Sequence, residues 1–97
     1  MAKGYWVGHV TVKNPERYKD YQALNAVVFT KYGGKFLVRG GQSEMGNGHL
    51  KERHVVLEFA DYATAHACYF SPEYQAARQV LLEAADVDIA VVEGWAG

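Results

Sequence analysis

The sequence has a single cysteine, no long apolar run and no excess of positive charge, and each absence excludes a class of protein. Cys68 cannot form an internal disulfide, and a lone thiol is typical of a protein of the reducing cytoplasm. Ten basic residues are scattered among eleven acidic ones, so neither nucleic acid nor a membrane surface is expected as a partner. The apolar run over residues 5–12 is short and broken by polar residues, so we expect neither a signal peptide nor a membrane span.

Motifs for nucleotide, metal and nucleophilic chemistry are missing as well. The sequence has no glycine-rich phosphate loop, dinucleotide fingerprint or serine elbow. The four histidines form neither a helix-spaced pair nor a cluster with cysteine, so no metal site is expected. Cys68 lies in an alanine-rich segment without a neighbouring base, and we interpret it as a small buried side chain rather than a nucleophile.

Helix and strand signals alternate along the 97 residues, which we treat as one domain covering 1–97. Asn14 and Pro15 are typical of a helix start, Gly33 of a helix end, and Ser71 with Pro72 of a second start. The predicted strands are 5–12, 35–39, 53–59 and 87–93, and the predicted helices are 15–32 and 61–85 with a restart at 71–72. This βαββαβ order predicts an α+β, ferredoxin-like fold, with a four-stranded antiparallel sheet and helices on one face.

The other face of that sheet is predicted to be uncovered, and we call it the open face. The alternation of the first strand divides its side chains into a helix-facing row of Trp6, Gly8 and Val10 and an open-face row of Tyr5, Val7 and His9. The inverse assignment stays open. A soluble monomer rarely exposes an apolar sheet face of this size, so we expect a homodimer that buries it.

Four ionisable residues are predicted to meet on the open face: His9, His54, Glu58 and Arg39. Arg39 ends the second strand at a pair of glycines, and its planar fork of donors suits a carboxylate or a phosphate. Glu58 would act as a general base, with His9 or His54 as acid or donor. The alternative is an ion pair between Glu58 and Arg39 at an interface, with the histidines bonded to backbone groups.

Five further residues are candidates for ligand contact: Asn25, His66, Tyr69, Ser71 and Tyr74. Asn25 lies within the apolar stripe of the first helix, where a buried amide needs a partner or a wet cavity. The others lie on or beside the break in the second helical region. Their alternative roles are capping and packing.

Three segments carry a resemblance to a known family: residues 32–41, Val56–Phe59 and 69–78, followed by 92–94. They resemble domain of unknown function family 1330, which is similar to a branch of the dimeric α/β-barrel superfamily. The resemblance implies that two ferredoxin-like sheets pack into a barrel. Related branches include cofactor-independent monooxygenases of aromatic polyketides, muconolactone isomerases and haem-using chlorite dismutases.

The resemblance assigns no reaction, and it leaves two main hypotheses. It places five of the candidates at family motif positions: Arg39, Glu58, Tyr69, Ser71 and Tyr74. It supplies no haem ligand, and no cofactor is expected. The leading hypothesis is a cytoplasmic homodimer that binds a small anionic or aromatic compound, with cofactor-independent isomerase or monooxygenase activity as its catalytic form. The alternative is a non-catalytic ligand-binding or dimeric interaction module.

An RNA-recognition domain shares the predicted strand order and is a third hypothesis. Such a domain requires stacking aromatic residues on its third strand in a basic-Gly-aromatic-Gly-aromatic pattern. Residues 53–59 read RHVVLEF and lack that pattern. The sequence therefore argues against RNA recognition.

Overall fold

Seven regular elements follow one another in the computed structural model, which describes residues 2–97. They are β1 (Gly4–Val12), α1 (Pro15–Tyr32), β2 (Lys35–Arg39), β3 (Arg53–Phe59), α2 (Tyr62–Tyr69), α3 (Pro72–Ala84) and β4 (Ala85–Glu93). The strands form one antiparallel sheet in the order β2-β3-β1-β4. The predicted ferredoxin-like fold class is confirmed.

Local capping bonds set the helix ends that the sequence predicts. The Asn14 side chain accepts a hydrogen bond from the Arg17 amide at 3.1 Å, which satisfies a free N–H group in the first turn of α1. Gly33 has a φ of 72°, and the next amide, of Gly34, donates to the Phe29 carbonyl at 2.8 Å. This left-handed conformation ends α1 because glycine adopts it without a Cβ clash.

The last strand begins two residues earlier than predicted. Ala85 pairs with Val12 and Asp86 with Thr11 across the β1–β4 ladder. Alanine and aspartate have a low preference for strands, so local propensity alone would start this strand at Val87. Pairing with the full length of β1 overrides that preference.

Trp6 is the centre of the core on the helix side of the sheet. It is 2% exposed, and its indole N–H donates to the Ala65 carbonyl at 2.8 Å. Its ring centroid lies 4.7–5.5 Å from those of four other aromatic side chains, namely Phe29, Phe59, Tyr69 and Tyr74. These distances are typical of favourable edge-on and tilted aromatic packing. The assignment of the Trp6 row to the helices is confirmed.

The open face carries one apolar row between two polar rows. The apolar row crosses all four strands in register and consists of Val38, Val56, Val7 and Ala90. On one side of it lies the row of Lys35, Glu58, Tyr5 and Val92, and on the other the row of His54, His9 and Asp88. No helix of residues 2–97 covers this face, because the helices supply the core on the opposite side.

A β-bulge at Leu37 changes the direction of the side chains that follow it in β2. Phe36 pairs with Leu57, whereas Val38, two residues on, pairs with the adjacent Val56. The extra residue reverses the alternation, so Arg39 pairs with Val55 on the helix side. The prediction that Arg39 lies on the open face with the histidines and Glu58 is therefore wrong.

Candidate functional site

A cleft opens between α1 and the helix side of the sheet. Its interior is narrow: the centre of a water-sized sphere can occupy about 40 Å³ of it, which is room for a few water molecules, and the wider space at its mouth is open to solvent. The wall is mainly apolar, and Trp6, Phe29 and Phe36 contribute aromatic surface to it. Gly8 forms part of the floor, and a Cβ built there would meet no atom closer than 3.7 Å. The missing side chain therefore leaves usable space inside the cleft.

Two arginines line this cleft from adjacent strands. The guanidinium carbon of Arg39 lies 4.5 Å from the ring centroid of Phe36, and that of Arg53 lies 5.5 Å from the ring centroid of Tyr18. Arg53 Nε also donates to the Tyr18 hydroxyl at 3.1 Å. Within residues 2–97, no carboxylate oxygen lies within 4.0 Å of either guanidinium, the distance that defines an ion pair. Two positive charges therefore lie beside an apolar cleft without a protein counter-charge.

Gly40 makes room for the second of these arginines. Its φ is 68°, and a Cβ built on it would overlap a guanidinium nitrogen of Arg53. Its amide donates to the His54 carbonyl at 2.9 Å, which fixes the corner after β2. Gly40 thus leaves room for the Arg53 side chain of the neighbouring strand β3, and it also ends β2, the strand of Arg39.

A pair of hydrogen-bonded phenols lies deeper in the helix layer. The Tyr21 and Tyr74 hydroxyl oxygens are 2.8 Å apart, and Tyr21 lines the cleft whereas Tyr74 is fully buried. Burial raises the pKa of both hydroxyls. Both phenols therefore stay protonated at neutral pH and serve as hydrogen-bond donors rather than bases.

Asn25 lies near this pair and is 5% exposed. Its side-chain oxygen has no hydrogen-bond partner among residues 2–97. An unbonded buried carbonyl oxygen is costly, so a group that could donate to it would stabilise the protein.

The open face holds the other predicted ionisable residues, and they bond to one another. The Nδ1 atoms of His9 and His54 are 2.9 Å apart, so one ring donates and the other accepts. The Tyr5 hydroxyl donates to a Glu58 carboxylate oxygen at 3.2 Å. Burial and the neighbouring Glu58 raise the pKa of Tyr5. The structure brings His9, His54 and Glu58 to one face as predicted, but without Arg39.

The remaining predicted site residues lie elsewhere. Ser71 caps α3 by accepting from the Tyr74 amide at 3.1 Å, and its hydroxyl donates to the Cys68 carbonyl at 2.8 Å. Tyr69 packs on Trp6, and its carbonyl accepts from the Gln75 side chain. His66 is on the exposed surface of α2, with its ring centroid 4.6 Å from that of Phe70.

Cys68 and the other potential metal ligands form no candidate site within residues 2–97. Cys68 is fully buried, and burial raises the pKa of its thiol to about 12. Among residues 2–97, no three His, Cys, Asp or Glu side chains converge in an arrangement able to hold a metal ion. The helices of this part of the chain likewise include none whose length and hydropathy suffice to cross a bilayer.

Residues 3–95 match the sequence profile of a family described as Domain of unknown function (DUF1330). The chain belongs to DUF1330. No curated protein has significant sequence similarity to it.

Solved structures show the same fold as this DUF1330 chain at low sequence identity. A protein of unknown function from Rhodopseudomonas palustris is 18% identical with a TM-score of 0.77, covering 99% of this chain and 85% of its own. SnoaB, a cofactor-independent oxygenase from Streptomyces nogalater, is 15% identical with a TM-score of 0.66, covering 100% and 97%. A dimeric protein of unknown function from Bacteroides fragilis with a ferredoxin-like fold is 13% identical with a TM-score of 0.54, covering 94% and 93%.

Sequence reasoning missed Arg53, Tyr18 and Tyr21 as cleft residues. The tyrosines belong to the helical stripe that predicts core packing. Arg53 has the same strand parity as Val55 and Leu57, which the alternation assigns to the helix side. That parity was the available signal for Arg53, whereas nothing local indicated the Leu37 bulge.

Proposed function

We propose that this DUF1330 domain binds a small organic anion with an aromatic or otherwise apolar body, in the cleft between α1 and the sheet. The observation that carries the proposal is the pair of guanidiniums without carboxylate partners beside an aromatic wall. The apolar wall favours burial of a ring, and the arginines favour a carboxylate or phosphate at its edge.

The two tryptophans allow a direct test of binding. Trp6 lines the cleft, whereas Trp95 is 93% exposed. A Trp95→Phe variant therefore leaves Trp6 as the reporter. Titration with benzoate should change Trp6 fluorescence in a saturable way.

Gly8→Val provides the blocking variant for that titration. The valine side chain would enter the cleft, and its Cβ would make only ordinary contacts. In the Trp95→Phe background, Gly8→Val should abolish the response. Val7→Ile is the control: it enlarges the neighbouring residue on the open face and should leave the fluorescence response intact. A response that survives Gly8→Val would contradict the cleft as the site.

We also propose that two chains associate through the open face. The apolar row of Val7, Val38, Val56 and Ala90 supports this, because a second copy would remove it from water. The dimeric description of the Bacteroides fragilis protein supports it as well. Val56→Lys should convert the dimer to a monomer in light-scattering measurements, whereas a wild-type monomer would contradict the proposal. The buried lone thiol is consistent with the proposed cytoplasmic location.

Turnover without a cofactor is a second candidate function. It is favoured by the fold shared with SnoaB and by the protonated phenol of Tyr21, a residue that lines the cleft and bonds Tyr74 behind it. An isomerase that moves a proton would incorporate deuterium from heavy water into its ligand, and an oxygenase would consume oxygen. Either activity should fall in Tyr21→Phe. Saturable binding with neither signal would favour the ligand-binding module instead.

A further inference from the structure

We propose that the cleft selects a doubly charged oxyanion carried on an apolar body, with Arg39 and Arg53 as its two charge partners. The proposal rests on the function proposed above and specifies the class of ligand. Two adjacent carboxylates on a ring and a phosphate monoester share this chemistry. A single carboxylate or a neutral polar group does not.

The strand register places the two arginines side by side. Arg39 pairs with Val55, and Arg53 precedes Val55 by two residues on the same strand. Such diagonal neighbours are about 7–8 Å apart at their Cα atoms, within reach of two long side chains. Two guanidiniums brought to one cleft carry like charges, and like charges repel each other when no anion lies between them. A dianion offsets both charges, whereas a monoanion leaves part of the repulsion in place.

Aromatic rings hold both guanidiniums in position. Arg39 lies over Phe36, and Arg53 lies over Tyr18 and donates its Nε to the Tyr18 hydroxyl. The two terminal nitrogens of Arg53 are outside that hydrogen bond. A guanidinium held on a ring loses little side-chain freedom on binding, and its planar fork matches carboxylate and phosphate oxygens.

The charges and the apolar wall face one continuous space. Phe36 and Tyr18 contact the guanidiniums and also line the cleft, next to Trp6. A ring that packs against Phe36 and Tyr18 therefore has its substituents within reach of the two guanidiniums. A basic surface patch that attracts phosphate ions has no such apolar cleft beside its charges.

Four probes that share a benzene ring test the charge requirement: benzyl alcohol, benzoate, phthalate and phenyl phosphate. Their affinities for the full chain would be measured by calorimetry at low ionic strength, where screening is weak. We expect the better of the two dianions to bind at least about tenfold more tightly than benzoate, because charged hydrogen bonds contribute that much. Which of phthalate and phenyl phosphate binds more tightly shows whether the oxyanion selected is a pair of carboxylates or a phosphate monoester.

Four variants test whether the two arginines provide the selectivity. Arg39→Gln and Arg53→Gln should each lower the dianion affinity about tenfold, to near that of benzoate. Arg17→Gln is the matched control, because Arg17 pairs with Asp20 and Glu83 outside the cleft. Arg53→Lys keeps the charge but removes the fork, and it should recover only part of the affinity. Circular dichroism would establish that each variant is folded.

The possible results separate the two proposals. Equal affinities for benzoate and both dianions would overturn the dianion inference and leave the proposed cleft function standing. Equal losses in Arg17→Gln and Arg53→Gln would also overturn the inference, since binding would then reflect overall charge. If none of the four probes bound, the proposed function would fail together with the inference.

Discussion

The cleft and the open face are built from the same strands but present opposite surfaces to a ligand. On the helix side, Trp6 is 2% exposed and the chain folds into a concave, aromatic space. On the open face, the next residue, Val7, is half-buried and has no helix over it. Concavity thus comes from the gap between helix and sheet, which the open face lacks.

The two regions also differ in how their charged groups are satisfied. On the open face Tyr5 bonds Glu58, His9 bonds His54, and the Lys51 ammonium pairs with Asp88 at the edge of the sheet. In the cleft the guanidiniums of Arg39 and Arg53 contact aromatic rings and no carboxylate. The charged groups of the open face are thus satisfied by their neighbours, whereas the two guanidiniums of the cleft have no carboxylate partner within residues 2–97.

The largest expected effect concerns the reactivity of Cys68 in the helix layer. Its pKa of about 12, against an ordinary value of 9.0, lowers the thiolate fraction near pH 8 about a thousandfold. We therefore expect a thiol reagent to modify the native chain very slowly and the denatured chain at the usual rate. Rapid modification of the native chain would show that the helix layer opens far more readily than its packing implies.

The next effect compares neighbouring residues on the two faces of β1. Trp6→Ala should lower the free energy of unfolding by about 3–5 kcal/mol, since it empties the centre of the core. Val7→Ala should cost about 1 kcal/mol or less in a chain whose open face is free. Denaturant unfolding at one protein concentration measures both losses in free energy of unfolding. If the loss in Val7→Ala grew when the measurement was repeated at higher protein concentration, a partner would be shown to cover the open face.

A smaller difference is expected between two tyrosine hydroxyls. Tyr74→Phe removes the buried partner of the Tyr21 hydroxyl and should destabilise the fold by about 1–3 kcal/mol. Tyr5→Phe removes the half-exposed bond to Glu58 and should cost well under about 1 kcal/mol. Equal losses in thermal unfolding would mean that the two hydroxyls are equally shielded from water.

The smallest effect is the response of the open face to acid. Asp88 pairs with Lys51 at the edge of that face, and this pairing lowers the pKa of the carboxyl in the folded chain. The pair therefore contributes stability above the ordinary carboxyl pKa, and that contribution is lost as the pH falls through the lowered pKa of Asp88.

Asp88→Asn identifies the source of this acid response. The variant should flatten stability over the same pH interval, whereas Glu44→Gln, on the exposed segment after β2, should not. An unchanged response in Asp88→Asn would exclude the Lys51–Asp88 pair as its origin.

Local chemistry decided where most elements begin and end. Asn14, Gly33 and Ser71 act through bonds within their own helix termini, so the sequence predicts them without knowledge of the rest of the fold. The strict alternation of β1 and of β3 likewise determined which residues of each strand share a face, whereas the packing of the helices decided that the Trp6 row is the buried one. These features depend on residues a few positions apart.

Contacts between distant segments decided the rest. The bulge at Leu37 is defined by the pairing of β2 with β3, and it alone turns Arg39 from the open face to the cleft. The approach of α1 to the sheet then placed Tyr18 beside Arg53 and left the space that both line. Local patterns therefore specify the elements, their order and the residue types available for a site. Which arginines meet depends on strand register and helix placement, and these follow from the packing of the whole chain.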